Sequence, residues 1–409
     1  MQYDIIIHGG HLIDPIAGRN GRFDVAISRN RIAAVAPTID LSHGRKHIDA
    51  SGRLVFPGLI DLHTHVYHSV TYWGIAPDAL AARSGVTTWV DVGSAGAYNF
   101  TGLREFIMRQ CDSRIVTFLN ISGVGLTAPF GEHVNLDNCD VDLCCDIVDR
   151  HRDIIVGIKA RIEGKTVGAN GLEPLRRARQ AADRTGLPMM VHIGSGPPEL
   201  YAVLEYLKAG DILTHCYTGG TMRVTGHGGV PHASIVAAAQ RGVILDVGHG
   251  AGSFDFAVAE GMLAAGLLPD VISSDMHQLS VHGPMFDLPT CMSKFLAIGV
   301  PPETTVAAVT ARPAQLLDLR DVGTLQVGAL ADVAVMRLHE GEFHFYDIDM
   351  QSRVGRHLLR NELTILNGRP MPHTPLPTPA PWIHVRPYQQ DIRDRGHTPD
   401  QMVATCGCC

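Results

Sequence analysis

The chain has 409 residues, enough for one large barrel and a smaller domain. Its apolar share of 45% is that of a globular protein, and a net charge of −7 argues against a general nucleic-acid binder, which would carry a basic face. No apolar run reaches the length needed to span a bilayer.

The first residues, Met1-Gln2-Tyr3-Asp4-Ile5-Ile6-Ile7, have no basic region and no small-residue cleavage site. No signal peptide is expected, and a cytoplasmic protein is. Nine cysteines at irregular positions then read as reduced thiols. Residues 3–54 read as short strands at 3–8, 23–27 and 31–36, split by Gly9-Gly10, by Gly18 to Gly21 and by Arg29-Asn30. The pattern returns near the other end. Residues 323–328 lead into an apolar run at 331–335, and 363–366 precede Asn367-Gly368. We therefore expect residues 1–56 and 313–373 to form one small β-sandwich domain around an inserted central domain.

Residues 57–312 alternate apolar strands with helical stretches. Strands are expected at 59–62, 86–92, 115–121, 154–160, 188–193, 211–214, 243–247 and 271–274, and helices at 173–185, 199–209 and 233–241. Eight βα units with near-continuous apolar strands predict an α/β fold, a parallel (β/α)8 TIM barrel. An open doubly wound sheet is the alternative, and the lack of G-x-G-x-x-G after the first strand weighs against it. Cys144-Cys145 falls in an expected helix and reads as packing. Residues 374–409 are a Pro-rich tail. The stretch from Pro370 to Pro387 is expected to be extended and docked or partly disordered, and Cys406-Gly407-Cys408-Cys409 to be a disordered tail, with metal capture or oxidation as the other reading.

In such barrels the active site forms at the C-terminal ends of the strands. His63 and His65 end the first strand, two residues apart, so their side chains share a face and suit a metal. Lys159 sits in the apolar fourth strand, where an ammonium without a partner is costly. His192 ends the fifth strand, His215 the sixth and Asp275 the eighth. Taken singly, either histidine reads as a core residue and Asp275 as a helix cap. Six such residues on matching strand ends read as one site.

The words Asp61-Leu62-His63-Thr64-His65, Gly157-Ile158-Lys159-Ala160-Arg161, Leu213-Thr214-His215-Cys216-Tyr217 and Ser273-Ser274-Asp275-Met276-His277 resemble the amidohydrolase superfamily of metal-dependent hydrolases over residues 1–373. The resemblance implies two divalent metal ions, zinc or manganese. His63, His65 and Asp275 would hold the more buried ion and His192 and His215 the more exposed one. Lys159, carrying carbon dioxide as a carbamate, would bridge both. A hydroxide between the ions would attack a carbonyl, with Asp275 as catalytic proton shuttle. Arg161 is a candidate for gripping a substrate carboxylate, with a structural ion pair as the other reading. Tyr217 is a candidate donor to substrate, with packing as the other reading. Of His227, His249, His277 and His282 in the loops after strands six to eight, His277 is taken as a substrate contact.

Within the superfamily the same words are most similar to a dihydroorotase-like branch of deacetylases acting on acetylated hydroxy acids or N-acyl amino acids. A dihydroorotase is expected to carry arginine two residues after the second histidine of H-x-H; here that residue is Tyr67. The expected activity is cleavage of an acyl ester or amide in a small carboxylate-bearing molecule. A cyclic amide hydrolase, a lactonase, a one-metal deaminase and an inactive scaffold are the alternatives. The expected partners are a small-molecule substrate and further copies of the chain in a homo-oligomer, with no nucleic acid and no membrane.

Overall fold

The computed structural model describes residues 2–376 and 378–405. Apolar alternation at the N-terminus produces a four-stranded sheet, ordered Arg31–Ala36, Asp24–Ser28, Tyr3–His8, Gly44–Asp49. A second sheet has six strands. Its order is Arg369–Pro370, Ser352–Leu366, Val333–Tyr346, Leu54–Pro57, His11–Asp14, Arg19–Arg22. Leu54–Pro57 joins the chain ends: it runs antiparallel to Val333–Tyr346 and parallel to His11–Asp14. Ile5, Ile7, Val25 and Ile27 of the first sheet share a buried cluster with Leu12, Val55, Val333 and Ile365 of the second. The two sheets therefore pack face to face as a sandwich. The hairpin of Val333–Tyr346 and Ser352–Leu366 is far longer than the expected runs at 331–335 and 363–366. Pairing carries it through polar residues such as Arg337 and Glu340.

The central domain is a parallel sheet of seven strands in chain order: Leu59–Thr64, Val86–Gly96, Arg114–Asn120, Ile155–Ile162, Met189–Ile193, Ile212–Thr214 and Ile244–Asp246. These match the expected strands to within a few residues. The eighth differs. Residues 271–274 are not a regular strand but a bridging segment. Asp246 bridges Val271 and Thr64 bridges Met276, both in parallel. On one side His249 N and Gly250 N donate to Ser273 O and Ser274 O, and on the other His65 N donates to Met276 O at 2.8 Å. These bonds close the TIM barrel. The ladder stays irregular because Asp275 takes φ 48°, which breaks the extended path.

The helix Glu173–Thr185 has the expected bounds, and Cys144 and Cys145 are buried in the helix Val141–Arg150. The helix expected over 199–209 is only Leu200–Leu204. Asp211 captures the Lys208 N–H at 2.7 Å, a side-chain bond that competes with helix continuation. Beyond the sandwich the chain crosses the barrel rim without regular structure. It then forms two short helices, Pro387–Asp394 and Pro399–Thr405, in the part expected only to be a Pro-rich tail. Each begins on a proline, which favours the first helical turn. The terminal cysteines Cys406, Cys408 and Cys409 lie outside the described residues. Among the described residues no helix is long and apolar enough to cross a membrane.

Candidate active site

The first strand delivers His63 and His65 to one point. Their Nε2 atoms lie 3.4 and 3.2 Å from Asp275 Oδ1. Ligand atoms of the three side chains all fall within 4.8 Å of one another, and all three residues are buried. The His215 ring sits 4.9 Å from that of His63 and 4.3 Å from that of His192, centroid to centroid. Lys159 is in the fourth strand, two residues before Arg161, which pairs in register with His192. Burial lowers the pKa of His63, His65, His192 and His215, and the nearby Lys159 amine adds to the shift of each.

Backbone geometry aims these groups. His215 and Asp275 both take left-handed φ values, 64° and 48°, at strand ends. Such strain in non-glycine residues clusters at functional sites. Two glycines make room for them. A Cβ on Gly250 would lie 2.3 Å from Asp275 Oδ2, and one on Gly93 would lie 2.7 Å from Lys159 Cγ. Both have positive φ, so a side chain there is excluded twice over.

The imidazoles are oriented from behind. His63 Nδ1 lies 2.7 Å from Thr214 Oγ1, His65 Nδ1 lies 3.0 Å from Ser94 Oγ, and His215 Nδ1 donates to Gly248 O at 2.6 Å. Such partners fix the tautomer and free Nε2 to bind a metal. Burial lowers all four histidine pKa values, that of His65 to about 3 and that of His215 to about 4. The rings are thus neutral near pH 7, the form a metal requires.

Three buried carboxylates pin the strand ends, and the sequence reading passed over all of them. Asp61 accepts Ser274 N at 2.9 Å and the Ser274 hydroxyl. Asp91 accepts Val66 N and Ser94 N, each at 2.9 Å. Asp246 accepts Thr214 Oγ1 and Ser273 Oγ. Burial pushes Asp61 up to about 7 and Asp246 up to about 6. The signal available in the sequence was their position, each an acid within or ending an apolar strand.

The donor set fits a cation. Lys159 Nζ, His215 Nε2 and Asp275 Oδ1 are buried without any hydrogen-bond partner among the described residues. Buried polar atoms are rarely left so unless another group completes them. Burial also brings Lys159 down to about 7, so an ammonium is poorly tolerated there.

A cavity of about 210 Å³ opens beside these residues. It is lined by His65, Asp275, Arg161, His192, His277 and Trp73, among others. His277 Nδ1 accepts from Leu279 N and Ser280 N, both at 3.2 Å, which puts its proton on Nε2. That atom lies 4.0 Å from Asp275 Oδ2. Arg161 reaches the same cavity, but Glu132 holds it: Nε and Nη2 donate to the two carboxylate oxygens at 2.6 and 2.7 Å. The structural ion pair is therefore present. Tyr217 requires a correction. It is fully buried, packs edge-on against Phe295 and donates to Leu267 O at 3.4 Å, so packing occupies it and it does not line the cavity. Of the other loop histidines, His249 accepts from Lys294 Nζ at 2.6 Å, and His282 Nδ1 accepts from Arg393 at 2.6 Å. His227 lines a separate surface cavity. Trp73, Phe130, Glu163 and Arg386 also line the active-site cavity and were not foreseen.

A (β/α)8 barrel with histidines and an aspartate gathered at its strand ends defines a metal-dependent hydrolase. The amidohydrolase family profile matches residues 54–354, and the chain belongs to that family. It is 39% identical over 324 residues to a deacetylase of Agrobacterium fabrum, covering 78% of each chain. Among solved structures it resembles one described as an adenine deaminase, with TM-score 0.84 and 32% identity, covering 90% of this chain and 99% of that one. It also resembles one described as a dihydroorotase, with TM-score 0.83 and 34% identity, covering 90% and 98%.

Proposed function

We propose that the protein is a binuclear deacetylase or amidohydrolase that cleaves an acyl ester or amide bond in a small carboxylate-bearing molecule. Lys159 carries this reading: a buried amine without a hydrogen-bond partner among the described residues, close to four neutral imidazoles and a carboxylate. As a carbamate it would offer oxygen donors to metal ions, which would remove the buried cation and complete the donor set. His63, His65 and Asp275 would hold one ion, and His192 and His215 the other. Bound there, zinc or manganese supplies Lewis acidity and lowers the pKa of water.

The chain's own groups do the rest. Asp275, whose carboxyl pKa burial raises, is placed to take a proton from water and return it to the leaving amine or alcohol. His277 presents an Nε2 proton toward the cavity for a substrate oxygen. Trp73 and Phe130 form part of the cavity wall.

The one-metal deaminase reading is weakened by the same lysine, for which it has no use. The similarity to a deacetylase over most of the chain also favours the hydrolase. Metal analysis of the purified protein, with a screen of acetylated hydroxy acids, N-acyl amino acids, lactones and cyclic amides, tests the proposal. We expect two metals per chain and turnover of an acetylated acid. One metal per chain with release of ammonia from a purine would replace it.

A further inference from the structure

We propose that Arg386, carried on the C-terminal segment, grips the substrate carboxylate. The inference deepens the hydrolase reading and takes its substrate class from it.

Arg386 lies more than a hundred residues after Asp275 in the chain, yet it lines the same cavity as Asp275, His65 and His277. The segment that brings it there is fastened on both sides. Before it, Ala380 N donates to Gln278 Oε1 at 2.7 Å, and Ile383 is buried with Ala251, Leu279 and Trp73. After it, Tyr388 Oη donates to Ala251 O at 3.0 Å, and the fully buried Gln389 donates from Nε2 to Leu279 O and Gly283 O at 2.9 and 2.6 Å. Ala251 and Leu279 themselves line the cavity, so the segment acts as one of its walls.

Two arginines line this cavity. Arg161 is neutralised by a buried two-pronged bond to Glu132, and drawing it toward a ligand would strand a buried carboxylate. Arg386 is exposed, its guanidinium lies 6.0 Å from the centroid of the Tyr388 ring, and among the described residues no ion pair to a carboxylate engages it. A guanidinium offers a planar fork that matches a carboxylate. A substrate with its acyl carbonyl at the Asp275 end would therefore point its carboxylate at Arg386. Selectivity for acids then depends on a part of the chain outside the barrel.

Calorimetric binding of N-acetyl amino acids and O-acetyl hydroxy acids, each against its primary amide, tests this on the metal-loaded full chain. We expect wild type to prefer the acids. Arg386→Ala should weaken acid binding by about tenfold or more while amide binding moves less than about twofold. Arg386→Lys should recover part of the loss. Arg386→Gln serves as a second neutral variant, with melting temperatures checking the fold. No acid preference in wild type, equal loss for acid and amide, or an acid preference that survives in the neutral variants would each overturn the assignment. Turnover is not needed for this readout. A protein that binds the acids through Arg386 but cleaves none would refute the hydrolytic reading and leave this contact standing.

Discussion

Asp246 reaches His63 through a single hydroxyl. Thr214 Oγ1 lies 2.7 Å from Asp246 Oδ2 and 2.7 Å from His63 Nδ1. The Thr214 hydroxyl donates to the carboxylate, so its oxygen accepts from His63 Nδ1–H. Nε2 is left with its lone pair facing Asp275. Thr214→Val keeps the shape and removes this relay. We expect metal affinity to fall by about 10–100-fold, read by competition with a chelator. Thr214→Ser should stay near wild type. Equal affinity in the valine variant would show that the relay does not matter.

Lys159→Ala should lose metal and most turnover. Small carboxylic acids added with metal should restore part of the activity by supplying the missing oxygens. Full activity with two metals per chain in the variant would remove Lys159 from its bridging place.

Asp275→Asn should keep the fold and drop turnover by about 10²–10⁴-fold, since an amide cannot shuttle the proton. Circular dichroism and kcat measure the two parts. Turnover within a few-fold of the parent would rule out the proton-transfer role.

Glu132→Gln should destabilise the protein by about 3–5 kcal/mol, because it leaves the Arg161 charge buried and unpaired. Burial raises the Glu132 pKa, yet the Arg161 charge and hydrogen bonds outweigh it, and the net shift is downward. A carboxylate lowered in the folded state stabilises above its unfolded pKa and loses that effect as pH falls through the folded value. The gap between wild type and variant in denaturant titrations should therefore narrow below about pH 4. A gap that is constant or widens with acid would contradict the pairing.

Seven barrel strands were legible because strands buried on both faces are largely apolar, as in Met189–Ile193. The eighth was legible as an apolar run but not as a bridging segment, since the turn at Asp275 depends on a left-handed φ that no residue type announces there. The six candidate ligands could be read because chemistry-bearing residues at strand ends stand out against apolar neighbours. Tyr217 could not be assigned, because a tyrosine after a strand looks alike whether its hydroxyl meets a ligand or Leu267 O. The terminal helices were hidden by their proline-rich approach.

Periodicity is a local property. The order of residues alone therefore determined the barrel, the flanking strands at both ends and the types of side chain at each strand terminus. Which of those side chains meet is not local. The Arg161–Glu132 pair, the Thr214 relay and the arrival of Arg386 at the cavity each join positions that are distant in the chain or lie on different elements. Those were decided only when the chain folded, because burial leaves a charged or polar group no choice but the partner that packing brings to it.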